Sequence, residues 1–202
     1  MGENLQDHLW TDALGYTLKE PISITEEKAS TFWPFMDYFV FGTGMLSSTC
    51  NLDGNAFFLS KDQPTSDRFP YIQLQLLNMQ PGSSKIYLEK SVESNNVGHE
   101  VTERLWGGLE SVDGLMLQPT LLHPRSKGTV SLASADPKDA PVIDPRYLSH
   151  PDDVKYIVEG GWGLSMLRDR LRFKFAGIRQ GEKLMKTKMF ETLGAKRLTR
   201  QH

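Results

Sequence analysis

Three proline dipeptides within ten residues constrain this chain more than any other feature. They are Asp136-Pro137, Ala140-Pro141 and Asp144-Pro145. Proline removes a backbone donor and disfavours helix in the residue before it, so residues 134–145 are expected to be extended. Gly128 precedes them, between an apolar run that reaches His123 and an alternating stretch at 129–134. This pattern predicts a β-hairpin that turns at Gly128, followed by a rigid, irregular strap.

Hydrophobic periodicity predicts further strands and helices along the chain. Strands are expected at 55–59, 70–79, 115–122 and 129–133. Helices are expected at 25–37, where Pro34 disturbs the second half, at 101–106 within a polar excursion (81–114), from 150–153 onward, and at 178–193, with Gly194 just past the end. Regular crossover helices do not separate the strands. The sequence therefore predicts an α+β fold, with an antiparallel or mixed sheet backed by helices.

Composition excludes several classes of protein. At 202 residues, with 39% apolar and 24% charged residues, the chain has the make-up of a globular domain. The formal net charge of −2 argues against a nucleic-acid-binding protein. The single cysteine excludes an internal disulfide framework and a zinc site built from thiolates alone. No apolar window of about 18 residues indicates a membrane span.

Two motif-like features are rejected on physical grounds. Gly42 and Gly44 resemble the start of a dinucleotide-binding loop, but Ser47 stands where the third glycine is needed and no βαβ pattern surrounds them. Asp136, Asp139 and Asp144 are acidic, but neighbouring prolines make them turn-forming residues. The sequence therefore predicts no metal site.

Three segments carry a resemblance to a known family. They are GENLQDH (2–8), YIQLQ (71–75) and HPRSKGTVSLASADPKDAPVIDPRYLSHPDDV (123–154). The first is similar to the GxNLQDH motif of the glucose–methanol–choline (GMC) flavoprotein oxidoreductases. The second resembles the family's PDIQxH strand, and the third its C-terminal signature. The invertebrate glucose-dehydrogenase-like and choline-dehydrogenase-like branches are the most similar.

The resemblance implies the substrate-binding portion of an FAD-dependent oxidoreductase that acts on the CH–OH group of an alcohol or sugar. Residues 1–10 would be a remnant of the flavin-domain edge and residues 11–202 an incomplete substrate-binding domain. The family's GxGxxG and its catalytic histidine segment have no counterpart here, so no catalytic residue is assigned. We expect a fragment that lacks its FAD-binding domain, holds no FAD alone and is inactive in isolation.

The resemblance also implies individual site residues. His8 would face the substrate cavity, together with Trp10 and Gln75, while Asn4 and Asp7 would shape the loop that meets the flavin domain. Trp10 stands where choline-oxidising members carry an acidic residue, which weakens choline as substrate, although an indole attracts cations. From the residues alone, without the resemblance, His8 is interpreted as a solvated, hydrogen-bonding loop histidine and Gln75 as an amide on the exposed face of a strand.

Alternatives remain open. The chain could be a stand-alone, non-catalytic module that binds a small ligand. Residues 161–176 interrupt what resembles one family helix, either as a gene-model error or as a basic amphipathic element that touches a membrane or partner. Residues 178–202 carry seven Lys or Arg residues. They could bind a nucleic acid or an anionic membrane, but we favour the interpretation that they form a solvated helix face. We therefore expect no nucleic-acid partner, and membrane binding is disfavoured.

Overall fold

The computed structural model of the chain describes residues 2–12, 14–48, 51–60, 63–95, 97–160 and 183–198. The strands in these ranges are β1 (Glu3–Leu5), β2 (Leu9–Trp10), β3 (Leu14–Thr17), β4 (Leu52–Phe58), β5 (Ile72–Leu77), β6 (Gly114–Leu121), β7 (Gly128–Ser131), β8 (Val142–Asp144) and β9 (Lys196–Arg197). The α-helices are α1 (Glu26–Ala29), α2 (Phe32–Phe41), α3 (Lys85–Asn95), α4 (His99–Trp106), α5 (Pro151–Gly160) and α6 (Lys188–Thr192). Short 3-10 helices cover Met45–Ser47 and Pro81–Ser83.

The strands form two sheets. One follows the order β4-β5-β6-β3-β9, with β2 also paired to β6, and the other follows β1-β7-β8. Strand β6 pairs antiparallel with β2 and β3, and β7 pairs antiparallel with β1 and β8. The predicted α+β fold with antiparallel sheet and helices is confirmed. No helix within the described ranges is both long and apolar enough to cross a bilayer.

The chain divides into two compact units. Unit 1 comprises Met1–Ala13, Ala56–Leu74 and Pro119–Glu182, and unit 2 comprises Leu14–Asn55, Gln75–Gln118 and Lys183–His202. The boundary predicted between residues 10 and 11, with a flavin-domain edge before it, stays a prediction. The predicted insertion at 161–176 lies outside the described residues.

Unit 1 has a small apolar core. Its buried members are Tyr71, Ile72, Leu121, Tyr156 and Ile157, and the partly buried Leu9, Phe58 and Leu148 pack against them. Tyr71 and Tyr156 meet edge to face, with ring centroids 5.1 Å apart. Burying one such side chain contributes about 1.5–3 kcal/mol, so this cluster fixes helix α5 and the end of β6 in unit 1.

Unit 2 combines an apolar core with satisfied polar groups. Leu14, Met116 and Leu117 are fully buried. Lys28 pairs with Asp113, which also accepts hydrogen bonds from the backbone nitrogen and hydroxyl of Ser23 at 3.0 and 2.6 Å. Burial alone would raise the pKa of the Asp113 carboxyl, but the hydrogen bonds from Lys28 and Ser23 lower it below its ordinary value. Asp113 is therefore held as a carboxylate.

The predicted hairpin at Gly128 is wrong. Strand β6 belongs to the larger sheet, whereas β7 pairs with β1 and with β8, which lies inside the predicted irregular strap. The prolines flank β8 without interrupting it, so its backbone donors stay available to the ladder. Gly128 serves a different purpose. A Cβ at this position would lie 2.0 Å from the Asp144 carbonyl oxygen, so glycine permits close approach of the strap.

The helix predicted at 25–37 is two helices. Helix α1 ends at Ala29, and α2 starts after Thr31 and continues to Phe41. Gly42 follows with φ 65° and ends α2. Pro34 is the third residue of α2. Its missing N–H falls in the first turn, where no intrahelical partner exists, so proline does not break the helix.

Two other helix predictions also need correction. The excursion at 81–114 holds both α3 and α4, whereas one short helix was predicted. In the described part of 178–193, residues 183–185 are helical, but Thr187 is extended (φ −74°, ψ 152°) and α6 starts only after it, so the predicted helix is interrupted. Gly194 then adopts φ 65° past the end, as predicted, and leads to the unpredicted strand β9.

Candidate functional site

The loop between β1 and β2 lies beside a half-open depression of about 190 Å³ in unit 1. Its lining residues are Gln6, Asp7, His8, Leu122, His123 and Pro124. We call this feature the His8 depression. The first three residues come from the N-terminal motif, and the other three directly follow β6. Two loops at strand ends therefore bring two exposed histidines to one concave surface.

Side-chain hydrogen bonds hold the motif loop in place. Gln6 Nε2 donates to the Pro124 carbonyl oxygen at 2.6 Å. Asp7 Oδ2 accepts from the Tyr147 hydroxyl at 2.9 Å, and Asp7 Oδ1 accepts from the His8 backbone nitrogen at 2.7 Å. The side-chain nitrogen of Gln6 and both carboxylate oxygens of Asp7 are thus engaged by the chain itself, while His8 stays exposed.

Asn4 sets the direction from which the chain reaches this loop. Glu3 pairs with Thr129 and Leu5 with Gly128, so Asn4 is the extra residue of a β-bulge. Its φ of 67° lies in the left-handed region, which asparagine tolerates better than most residues. Asn4 is exposed and does not line the depression.

A buried aspartate supports the opposite side of the depression. Asp153 is fully buried in α5, and its two carboxylate oxygens accept from the backbone nitrogens of Arg125 and Ser126 at 2.6 and 2.7 Å. The Ser126 hydroxyl in turn accepts from the His150 backbone nitrogen at 3.0 Å. These bonds fix the segment that follows His123 and Pro124. His150 immediately precedes helix α5, in agreement with the helix start predicted at residues 150–153.

Tyr71 packs against His123. Their ring centroids are 5.2 Å apart, and the Tyr71 hydroxyl donates to Asp67 Oδ2 at 2.5 Å. This hydrogen bond, together with burial and the negative charge of Asp67, raises the pKa of the Tyr71 phenol. Tyr71 therefore stays neutral and provides an apolar face behind the second histidine of the depression.

The structure brings together only part of the predicted site. His8 and Asp7 line the depression, whereas Trp10 does not. Trp10 lies on β2 opposite Thr120 and is 40% exposed. Gln75 belongs to unit 2, where it is partly buried on β5. The substrate-binding roles of His8, Trp10 and Gln75, and the cofactor-side roles of Asn4 and Asp7, stay predictions.

Sequence reasoning missed several residues that build this site. Gln6 and His123 line it, while Tyr147 and Asp153 support its two loops. His123 offered a usable signal, because it directly follows a predicted strand, where loops often carry functional groups. Tyr147 and Asp153 offered none, since their partners lie 140 and 28 residues away in the sequence.

The chemistry available here is hydrogen bonding by imidazole. A neutral imidazole has one donor and one acceptor nitrogen, so His8 and His123 are each able to bind a hydroxyl group. Within the described ranges, no three His, Cys, Asp or Glu side chains cluster as metal ligands. The arrangement suits recognition of a small polar molecule.

Comparison with known proteins identifies similar sequences. Residues 124–191 match the family model described as GMC oxidoreductase. The chain is 33% identical over 125 residues to glucose dehydrogenase [FAD, quinone] of Drosophila melanogaster, covering 62% of this chain and 17% of the relative. It is 31% identical over 166 residues to alcohol dehydrogenase [acceptor] of Pseudomonas putida, covering 79% and 25%. Choline oxidase of Arthrobacter globiformis is 44% identical over 50 residues, covering 24% and 9%. The chain therefore spans a quarter or less of the length of these curated relatives.

Proposed function

Because this chain belongs to the GMC oxidoreductase family, we propose that it forms part of the substrate-binding wall of an FAD-dependent enzyme that oxidises CH–OH groups. Its substrate would be an alcohol or a sugar. The similar proteins include a glucose dehydrogenase and an alcohol dehydrogenase, which supports this substrate class. The isolated chain would bind substrate without oxidising it.

One observation carries the proposal: the histidine of the family-like motif opens onto a depression that also holds a second histidine. The loop is pinned by its own side chains, so His8 presents its ring without having to order the backbone on binding. Pre-ordered polar groups in a concave site give affinity and orientation at low entropic cost. A substrate hydroxyl both donates and accepts a hydrogen bond, so it would pair with either nitrogen of an imidazole.

The described residues do not fit the FAD pyrophosphate. A dinucleotide-binding loop needs a strand, a glycine-rich turn and a helix N-terminus in that order. Gly42 instead ends helix α2, and Gly44 precedes a short 3-10 helix. The Asp7 carboxylate is already bound by Tyr147 and the His8 backbone. We therefore assign FAD to a separate FAD-binding domain and give no step of flavin chemistry to these residues.

Within this proposal the predicted residues have limited roles. His8 would hydrogen-bond the substrate hydroxyl, and His123 would contact the same ligand from the opposite loop. Trp10 lies outside the lining of the depression, and Gln75 belongs to unit 2, so the depression itself assigns neither of them a contact with the substrate. We assign no catalytic residue, because a general base is identified by its distance to the hydroxyl proton in a substrate pose set against the flavin, which a separate domain would hold.

A ligand-dependent melting experiment tests the proposal. The full 202-residue chain is heated with benzyl alcohol, glucose or choline over a concentration series. A ligand at about 100 times its dissociation constant stabilises the folded state by ~2.7 kcal/mol, which raises the melting temperature measurably. His8→Phe should abolish the rise. His99→Phe is the matched control, since His99 is an exposed histidine in unit 2, and should preserve it. If no hydroxyl compound raises the melting temperature, the proposed function is wrong.

A further inference from the structure

Tyr147 lies between two residues with an unusual backbone. Arg146 adopts φ 47° and Leu148 adopts φ 58°, both in the left-handed region. Neither is glycine or asparagine, so each conformation is sterically unfavourable. Strain of this kind persists only where the surrounding structure enforces it, and it concentrates at functional sites. Its presence on both sides of one tyrosine indicates that the direction of that side chain matters.

The surrounding structure does enforce these conformations. The Arg146 backbone nitrogen donates to Asp144 Oδ1 at 3.1 Å, and the Arg146 carbonyl accepts from the Ser149 nitrogen at 3.2 Å. The Leu148 side chain packs against the core of unit 1. The short segment that carries Tyr147 is thus fixed by a turn at its start and by apolar burial at its end.

The result is a contact across 140 residues of sequence. The Tyr147 hydroxyl donates to Asp7 Oδ2, and the other oxygen of the same carboxylate accepts from the His8 backbone nitrogen at 2.7 Å. Without the tyrosine, rotation of the Asp7 side chain would no longer be restricted by a second partner. The hydrogen bond to His8 would then be made for a smaller fraction of the time.

We propose that Tyr147 is a positioning residue for His8. Acting through Asp7, it would hold the backbone of His8 so that the imidazole faces the depression. This inference rests on the proposed function, because it assigns a purpose to the orientation of His8. It concerns the free chain, so it is testable without any ligand.

The ionisation of Tyr147 is compatible with this role. Burial and the hydrogen bond to Asp7 raise the pKa of the Tyr147 phenol above its ordinary value. The hydroxyl therefore remains a donor over the whole range in which the protein would be studied. A tyrosine that became a phenolate would repel the carboxylate it is meant to hold.

A matched control separates positioning from general stabilisation. Tyr71 makes the same chemical pair in the same unit, since its hydroxyl donates to the Asp67 carboxylate at 2.5 Å. Asp67 does not line the depression. Tyr71→Phe and Tyr147→Phe each remove one phenol–carboxylate hydrogen bond and leave the ring in place. A merely stabilising role predicts the same outcome for both variants.

The experiment measures hydrogen exchange at the His8 backbone amide in the full 202-residue chain, by ¹H–¹⁵N spectroscopy. Tyr147→Phe should accelerate exchange about fivefold, the factor expected for loss of one net hydrogen bond. Tyr71→Phe should leave it within a factor of two of the wild type. Equal acceleration in both variants, or no change in Tyr147→Phe, overturns the proposal.

A second variant tests the route through Asp7. In an Asp7→Ala background, exchange at His8 is already fast, and adding Tyr147→Phe should change it no further. Additive acceleration in the double variant means that Tyr147 acts by another route and overturns the proposal. Failure of the wild type to bind any hydroxyl compound, with the exchange results as expected, rejects only the proposed function.

Discussion

The His8 depression and helix α2 differ in the side chains they present and in how those side chains are held. The depression is lined largely by polar groups, and its loops are fixed by hydrogen bonds to Pro124, Tyr147 and the buried Asp153. Helix α2 is built largely of apolar and aromatic residues, yet most of them are exposed. The exposed members are Phe32, Trp33, Phe35, Tyr38, Phe39, Val40 and Phe41.

The two regions also differ in what stabilises their conformation. On the side of the depression that Asp153 supports, buried polar groups define one conformation, because a buried donor left without its acceptor would cost free energy in any alternative. In α2, exposed apolar area contributes little to the stability of the folded chain and favours association instead. Apolar composition therefore does not indicate which region is held firmly. Substitutions in the two regions should differ in size accordingly.

The largest effect is expected at Asp153. Asp153→Ala removes the acceptor of two backbone N–H groups and should lower the free energy of unfolding by roughly 2–4 kcal/mol. Asp152→Ala is the control, since its side chain is 35% exposed and pairs with Arg125 at 3.2 Å. It should cost about 1 kcal/mol or less. Urea denaturation of both variants provides the measurement. Similar losses would mean that the hydrogen bonds of Asp153 do not fix the depression.

The smallest effect is expected in α2. Phe39 is 75% exposed, so Phe39→Ser should change the free energy of unfolding by less than about 0.5 kcal/mol. It should also reduce self-association, measured by sedimentation velocity at rising concentration. A loss of more than about 2 kcal/mol would show that this side chain is covered in solution, as for truncation of a buried aromatic. The contrast between the two regions would then disappear.

Local features of the fold were predictable from the sequence. Alternating residues located the strands near 55–59, 70–79 and 115–122, and the acidic first turn located α5, because these signals depend only on neighbours in sequence. Which strands pair with one another was not predictable. Gly128 suggested a hairpin, but β7 joins β1 from the start of the chain and β8 from beyond the loop. Such pairing depends on side chains far apart in sequence.

The candidate site was predictable only where a motif marked it. His8 and Asp7 stand in a recognisable segment, and both line the depression. The two residues that support its loops, Tyr147 and Asp153, did not follow from any local sequence pattern. Tyr147 looks like an ordinary exposed aromatic after a proline, and its role depends on the left-handed conformations of Arg146 and Leu148. Those conformations come from tertiary packing, which local propensity does not encode.

The most direct test of the account compares two ligands that differ by one hydroxyl group. The full 202-residue chain is titrated with benzyl alcohol and with toluene while the imidazole resonances of His8 and His123 are followed. The account predicts saturable shifts of both histidines with benzyl alcohol and none with toluene, because the imidazoles bind the hydroxyl. Equal shifts with both compounds, or with neither, would contradict the assignment of the depression as a binding site for CH–OH substrates.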